Sequence, residues 1–431
     1  MTTDVRAGLP QPPPALAWTM LALVSLAMFG NYYVYDSIAP VADLLQRQLG
    51  FSDSQLGLLN AIYSAPNIVM VLVGGVIVDR FGAGRSTFWF ALICLIGAAL
   101  TAAAPTFPVM ALGRLLFGLG AESMNVAVIA ALGLWFGGSR LAFSFGLMIS
   151  ISRAGSFAAD YSPTIAAPLY AQGWQPPLVL AAALAATSLV CAWFYWRLEV
   201  GAQHRHALAA PKASDRFVWA DLWRFDRSYW YLVGICVAFY CVIFPFRSTF
   251  AIKYFQHAYG MPLDAAGAMN GYVYLAAIFA TPAFGWLIDQ VGRRALFLSV
   301  GALLLPASFL MLFMGSGSVW MSTVLIGISF SLVPAALWPA VARLVEPARY
   351  GTAYGLMTLL QNAGLTAANV LVGWLNDVSG ASADHPQGYA TMLAFFTGLS
   401  LVGFAFAVLL RLREVGPRGH GLEARGSGAI A

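Results

Sequence analysis

Residues 75–82 are Gly75-Val-Ile-Val-Asp79-Arg80-Phe-Gly82, and residues 285–292 are Gly285-Trp-Leu-Ile-Asp289-Gln-Val-Gly292. The second stretch repeats the glycines and the aspartate of the first at an offset of 210 residues. A second pair, Gly146-Leu-Met148 and Gly355-Leu-Met357, recurs at an offset of 209. Unrelated stretches rarely keep one register over such distances, so the sequence predicts two repeated halves.

The composition places both halves in a lipid bilayer. Of the 431 residues, 60% are hydrophobic and only 10% are charged, whereas soluble domains carry about 25% charged residues. Backbone groups in lipid must be satisfied within helices or closed barrels. Long apolar runs such as 179–195 and 295–314 lack the alternation of barrel strands. The sequence therefore predicts an all-α membrane protein.

Apolar runs of about 20 residues, bounded by charged or Gly/Pro-rich breaks, predict twelve transmembrane helices in two pseudo-symmetric six-helix halves. The predicted domains are an N-terminal half (1–197), a linker (198–227), a C-terminal half (228–411) and a tail (412–431). The predicted helices lie near residues 16–41, 55–78, 87–104, 108–136, 141–170, 175–197, 228–255, 264–288, 295–315, 318–345, 351–377 and 388–411.

Positive charges predict the orientation of the chain in the membrane. Loops on the side of the termini carry a large excess of cations, and the opposite loops carry only Arg47 and Lys253. Because short cytoplasmic loops are enriched in Lys and Arg, both termini are predicted to be cytoplasmic. The cations on that side are Arg80, Arg85, Arg140, Arg205, Lys212, Arg216, Arg224, Arg227, Arg293, Arg294 and Arg349, followed by Arg411, Arg413, Arg418 and Arg425 in the tail.

The Gly-x-x-x-Asp-Arg-x-Gly-x-x-Arg pattern that ends at Arg85 resembles the signature loop of the major facilitator superfamily. That resemblance implies the major facilitator fold and an alternating-access transporter. Its glycines would let a helix end approach its neighbour, and Asp79 would accept hydrogen bonds from a helix N-terminus. The same gating role is expected of Arg80, Arg85 and the repeated Asp289.

Six ionisable residues fall within predicted spans, where a charge is costly unless it faces a cavity or a partner. They are Asp36, Arg114, Glu122, Arg153, Asp160 and Arg247.

Glu122 and Arg153 lie about 15 residues before and after the turn at residues 137–139. At ~1.5 Å of rise per residue they share a depth near the membrane centre. They could form a structural ion pair, or they could present an anion and a cation to one ligand. The C-terminal half has Ser331 and Asn362 at the matching positions, which favours the ligand, since function is grafted locally onto a shared scaffold.

The other four charges suggest gating or coupling. Asp36 and Arg247 are one residue out of register between the halves, which predicts an ion pair at an outer gate. Arg114 is expected to pack or bond within the N-terminal half, with proton coupling as the alternative. Asp160 could pair with Arg114 or line the cavity, and the sequence leaves both open.

Several further residues are candidates for contact with a solute. Tyr63, Tyr272 and Trp338 could stack on its side chains, and Asn362 occupies the position equivalent to Arg153.

A closer resemblance covers most of both halves. Gly113-Arg114, Glu122-Ser123, Arg153-x-Gly155-Ser156 and Ala336-Leu337-Trp338-Pro339 are similar to motifs of the lysosomal dipeptide uniporter family. The resemblance implies dipeptide uniport, with Glu122 and Arg153 reading the two peptide termini. Arg247 and Asp160 depart from the neutral residues expected in those animal relatives.

The expected partners are a small-molecule substrate and the lipid bilayer, and the protein is expected to be a monomer. Nucleic acid, metal and cofactor are not expected, nor is enzymatic activity. The Ala/Gly/Arg-rich composition suggests a bacterial inner membrane. Proton symport through Glu122 or Asp36 remains an alternative to uniport. A rival function is an organic-anion or drug exchanger using Arg153 and Arg247; a membrane receptor is weaker, because no signalling domain is evident.

Overall fold

A computed structural model of the chain describes residues 10, 12–103, 105–137, 139–206, 208, 224–315 and 318–424. At residues 71, 72, 139, 142 and 348 only the backbone is described. Of the predicted linker, Lys212 and Arg216 lie outside the described residues, as does Arg425 of the tail. Within the described ranges the regular structure is entirely helical.

The described part of the N-terminal half contains nine helices, several of which are pieces of one span. They are α1 (Pro14–Asp36), α2 (Ala42–Leu49), α3 (Asp53–Ser64), α4 (Asn67–Phe81), α5 (Ala83–Ala103), α6 (Phe107–Trp135), α7 (Ser139–Ile165), α8 (Ala167–Ala171) and α9 (Gln175–Gln203). A 3-10 turn, Ala39–Val41, joins α1 to α2. The break between α3 and α4 falls at Pro66, which has no backbone N–H to continue the helix.

The C-terminal half repeats this arrangement. Its helices are α10 (Arg227–Pro245), α11 (Ala251–Tyr259), α12 (Leu263–Val291), α13 (Arg294–Phe313), α14 (Val319–Leu344), α15 (Tyr350–Val378) and α16 (Ala390–Val415). Between α10 and α11 the chain forms one π-helical segment, Phe246–Phe250. Such segments are often found at functional sites, and this one carries Arg247.

Ten helical segments of the described chain are long and apolar enough to cross a membrane, and Asp53–Met70 with Val73–Phe81, which bend by 59°, make an eleventh if they are counted as one span. The remaining long helix of the predicted twelve is α7, which carries Arg153 and Asp160. The protein is therefore an integral membrane protein with the expected helical architecture. Helix α9 continues to Gln203, six residues into the predicted linker.

Small residues allow close helix packing within the N-terminal half. A Cβ atom added to Gly113 on α6 would lie 2.5 Å from Thr101 Oγ1 on α5, and one added to Gly97 would lie 2.4 Å from Phe117 N. Close approach through small residues is typical of helix interfaces in lipid, where burial from water gives no driving force.

The repeated glycine motifs end their helices in the same way. Gly82 follows α4 with φ 84°, and Gly292 follows α12 with φ 74°, a conformation that glycine adopts at little cost. The close approach expected at the other glycines is not observed, because a Cβ atom on Gly75 or Gly285 would meet nothing within 4 Å.

The two halves meet mainly where α7 packs on α12 and α3 packs on α15. We call the side where α3 begins and α15 ends the distal face, and the side where α1 begins the terminal face. At the distal face Asp377 accepts bonds from the backbone N–H groups of Asp53 and Ser54, both at 2.8 Å. A carboxylate from one half thus caps a helix of the other.

An ion pair and a side-chain hydrogen bond also join the halves at the distal face. Lys253 Nζ lies 2.5 Å from Asp53 Oδ1, and His257 Nε2 lies 2.8 Å from Asp43 Oδ1. Lys253 is fully buried, so it is a structural cation rather than a free loop charge. These contacts close the distal face in this structure.

Substitution of Gly57 tests this closure. A Cβ atom at Gly57 would lie 2.2 Å from the backbone oxygen of Asn369 in the opposite half. Gly57→Ala is therefore expected to lower the free energy of unfolding by about 1–3 kcal/mol, as for other overpacked sites. Thermal unfolding of the purified protein measures the change.

Gly146→Ala is the matched control, because nothing lies within 4 Å of a Cβ atom there and alanine favours helix by up to about 1 kcal/mol. Equal unfolding temperatures for the two variants would contradict the tight contact at Gly57.

Candidate functional site

A cavity lies between the two halves. Its volume is about 590 Å³, including its open mouth. Helices α1, α3 and α6 line it from the N-terminal half, and α10 and α15 line it from the C-terminal half. The polar or aromatic residues that line it are Asn31, Tyr32, Tyr35, Tyr63, Ser64, Glu122, Asn125, Phe244, Gln361 and Asn362.

Glu122 supplies the negative charge of this cavity. The Tyr63 hydroxyl donates to Glu122 Oε1 over a long 3.5 Å. Asn125 lies three residues further along α6, on the same helix face, and its Oδ1 has no partner among the described residues; the same holds for Asn31 Oδ1 on α1. Unpartnered acceptors therefore surround the carboxylate.

Arg153 lies at the contact between the halves and is not among the residues that line the cavity. Its Nη1 donates to Ala277 O at 3.0 Å and to Thr281 Oγ1 at 2.5 Å, both on α12. The guanidinium also lies 5.4 Å from the ring centre of Phe330. All of these partners are neutral, so they leave the positive charge of Arg153 without a counterion.

Glu122 and Arg153 do not neutralise each other. Neither forms an ion pair with any residue that the structure describes, although Tyr32 on α1 is within electrostatic reach of both. The structural ion pair considered from the sequence is thus not present in this structure. Among the described residues, neither charge is therefore compensated by an ion pair.

The other predicted solute contacts divide into three groups. Tyr63 and Asn362 line the cavity. Trp338 lies one layer behind it: its indole donates to Tyr240 at 2.9 Å, and the Tyr240 ring stacks on Phe244.

The prediction for Tyr272 is wrong in its placement. Its ring stacks on Trp320 at 5.3 Å, in a separate apolar groove between α12 and α14. Two residues further along α12, Tyr274 points the other way and is buried. Because successive residues of a helix are 100° apart, positions 272 and 274 face opposite sides.

The expected ion pair between Asp36 and Arg247 is replaced by another. Arg247 Nη2 lies 2.5 Å from Asp160 Oδ2, so Asp160 neither pairs with Arg114 nor lines the cavity. Asp36 is close to Arg247, but neither of its oxygens forms a hydrogen bond with a described residue. The helical register correctly predicted that Asp36 lies near Arg247. It could not predict that Arg247 would bond to Asp160 instead.

Among the described residues, Arg114 forms hydrogen bonds only within the N-terminal half. Its nitrogens donate to the oxygens of Val34, Tyr35, Leu59 and Asn60, with 2.5 Å to Asn60 Oδ1. These contacts join α6 to α1 and α3, which is the bonding role considered from the sequence.

The repeated loop motifs lie far from the cavity. Arg80 and Arg85 lie over the ring of Phe81, at 5.4 and 5.7 Å from its centre. Asp289 pairs with Arg294 at the start of α13. A latching role for Asp79 and its neighbours stays a prediction.

Sequence reasoning missed Asn31, Asn125 and Gln361 in the cavity, as well as Thr281 beside Arg153. Each is a polar residue inside an apolar span, a signal that can be read from the sequence. That signal does not distinguish residues facing a cavity from those facing a neighbouring helix.

The fold and the inter-half cavity define a membrane transporter scaffold, and comparison with known proteins agrees. Residues 24–250 and 240–429 match the model of the Major Facilitator Superfamily, and the chain belongs to that superfamily. It is similar to the lysosomal dipeptide transporter MFSD1 of Danio rerio, with 31% identity over 93% of this chain and 88% of that protein. The human MFSD1 is 31% identical to this chain, and the match covers 93% of this chain and 87% of the human protein.

Among solved structures, a bacterial homologue of the human lysosomal transporter Spinster, described as inward-facing and unoccupied, superimposes with a TM-score of 0.75. The match covers 97% of this chain and 100% of that chain at 14% identity. At that identity the likeness supports the fold alone.

Two tyrosines provide a test of where the site lies. Tyr63→Ala removes a ring from the cavity wall, where it also stacks on Phe117 at 5.4 Å. We expect the affinity for a transported solute to fall about tenfold or more, since a buried aromatic ring contributes both area and stacking. Uptake into liposomes as a function of solute concentration measures the change.

Tyr272→Ala is the control, because Tyr272 lies in the separate groove between α12 and α14. The affinity of this variant for the solute is expected to stay within about twofold of wild type. A larger loss for Tyr272→Ala than for Tyr63→Ala would place the site elsewhere.

Proposed function

We propose that this protein transports small zwitterionic solutes, most specifically dipeptides, by alternating access between its two halves. The observation that carries the proposal is the coexistence of two uncompensated charges at the centre of the protein. Glu122 lines the inter-half cavity without an ion pair, and Arg153 is held only by neutral groups. Buried charges without partners are costly, so this arrangement is suited to a ligand with two charged ends.

The surroundings of Glu122 match the chemistry of an ammonium group. An ammonium offers three N–H donors and no acceptor. Glu122, Asn31 Oδ1 and Asn125 Oδ1 offer acceptors, and the rings of Tyr32, Tyr35 and Tyr63 line the same space, where aromatic faces attract cations.

Arg153 would bind the carboxylate end of the solute. The planar guanidinium can bind a carboxylate through two parallel hydrogen bonds. Ala277 O and Thr281 Oγ1 engage only Nη1, which leaves the Nε–H and Nη2–H donors for the solute. Because Ala277 and Thr281 belong to α12 of the opposite half, a solute bound to Arg153 would be linked to a contact between the halves.

Two relatives support the peptide as solute, since the MFSD1 proteins named above are dipeptide transporters. Transport also requires that the solute not lock one state, so binding should favour the two states almost equally. We further propose a bacterial inner-membrane location, cytoplasmic termini and a monomer, on the basis of composition and loop charge.

The rival function is exchange of organic anions, with Arg153 and Arg247 holding the anion. The geometry favours it less, because Arg247 is already paired with Asp160 and the cavity contains the carboxylate of Glu122.

Glu122→Gln separates the two functions. The variant keeps the shape of the side chain and removes its charge, so the ammonium loses its counterion. We expect dipeptide uptake into liposomes to fall at least about 30-fold, the effect of removing one partner of a buried charge pair. Uptake of N-acetylated dipeptides, which have no ammonium, should be low in both proteins.

Glu346→Gln is the matched control, since that carboxylate is exposed and pairs with Arg349 at 3.6 Å. It should transport dipeptides like wild type. Wild-type protein that carries dicarboxylates but no dipeptide, with Glu122→Gln unaffected, would replace the proposal with the rival.

A further inference from the structure

A compact cluster of charges lies at the contact between the halves, beside the cavity and distinct from Glu122 and Arg153. Asp36 on α1 and Asp160 on α7 come from the N-terminal half. Arg247 on the π-helical segment and Tyr274 on α12 come from the C-terminal half. Asp36 and Asp160 are 0% exposed and Arg247 is 1% exposed, so none of these charges is in contact with bulk water.

The hydrogen bonds within the cluster are unequal. Arg247 bonds to Asp160 at 2.5 Å, and its guanidinium carbon lies 3.6 Å from the centre of the Tyr274 ring. Asp36 lies beside Arg247, and the hydroxyls of Ser156, Ser248 and Tyr274 are near enough to interact with it as donors. None of these contacts has the distance and angle of a hydrogen bond, because both Asp36 oxygens and the hydroxyls of Ser156 and Ser248 lack such a partner among the described residues.

Other titratable groups near Asp36 do not bond to it. Tyr35 is its neighbour on α1, and Arg114 on α6 is the second cation within electrostatic reach. The Arg114 nitrogens donate to backbone carbonyls and to Asn60. By direct contact, therefore, two buried carboxylates face one guanidinium, and that guanidinium bonds to Asp160.

An ionised carboxylate without hydrogen bonds is among the most costly groups to bury, and such groups become neutral instead. Two buried carboxylates that share one cation cannot both be ionised at low cost. Because Arg247 bonds to Asp160, the geometry suits the acid form of Asp36 and the ionised form of Asp160.

We propose that Asp36 is a proton-binding site, and that closing the distal face takes up one proton at this carboxyl group. When the halves separate at that face, Arg247 and Tyr274 leave with the C-terminal half and water reaches Asp36. The carboxylate is then hydrated and releases its proton. Acid on the distal side thereby favours the closed arrangement, whatever solute is carried.

This proposal rests on the movement of the two halves and not on the identity of the solute, so its test needs no substrate. Purified wild type, Asp36→Asn, Asp160→Asn and Asp264→Asn are unfolded thermally at about pH 5.5 and about pH 8. A group that binds a proton more tightly when folded stabilises the fold at low pH, and that contribution is lost as the pH rises.

Asparagine mimics the neutral acid and needs no proton, whereas both pH values lie above the range in which an unfolded aspartate is protonated. Asp36→Asn should therefore unfold above wild type at both pH values, and the difference should grow by about 2 °C or more from the lower to the higher pH. Asp160→Asn leaves Arg247 without its carboxylate and should unfold below wild type at both values. Asp264 is exposed at the start of α12, and Asp264→Asn should behave like wild type.

Infrared spectroscopy gives a second, direct measurement. Wild type near neutral pH should show a protonated-carboxyl stretching band that is absent in Asp36→Asn and retained in Asp264→Asn. Two results would show that Asp36 is ionised and would overturn the proposal. One is that Asp36→Asn is less stable than wild type at both pH values, and the other is that its protonated-carboxyl band equals that of wild type. Failure of dipeptide transport would leave these results unaffected.

Discussion

The cost of placing a charge in a low-dielectric, lipid-bounded interior constrains everything else about this protein. Such a charge persists only where it has a partner, a hydrogen-bonding shell or access to a cavity. Arg114 has the shell, formed by backbone oxygens of α1 and α3. Lys253 and Arg247 have carboxylate partners across the interface. Glu122, which has no counterion among the residues that the structure describes, lies at the cavity.

Those partners are distributed in a way that suits a moving interface. The polar contacts Lys253–Asp53, His257–Asp43 and Arg247–Asp160 each join one half to the other. When the halves separate, water can take the place of each partner in such a contact. The glycine-mediated packing of α5 on α6, in contrast, lies within one half. The halves can therefore behave as rigid bodies while the contacts between them break and form.

Individual residues show how far sequence reasoning reaches into the site. Helix rise and the position of one turn predict a shared depth for Glu122 and Arg153, whereas the structure has only Glu122 in the cavity wall. Tyr272 was misplaced because the helical phase of α12 relative to the cavity depends on how α12 packs against α7 and α14. Asp160 was left without a partner because its pairing with Arg247 depends on the rotation of helices from two different halves.

The sequence by itself determined the membrane class, the repeated halves and the set of charges that require an explanation, because hydropathy, periodicity and repetition are properties of the chain. Only the tertiary structure decided which charges meet. Arg247 could have bonded to either Asp36 or Asp160, and Arg153 contacts α12 rather than Glu122. A hydrogen bond forms over about 3 Å, and differences of that size are set by packing between distant segments.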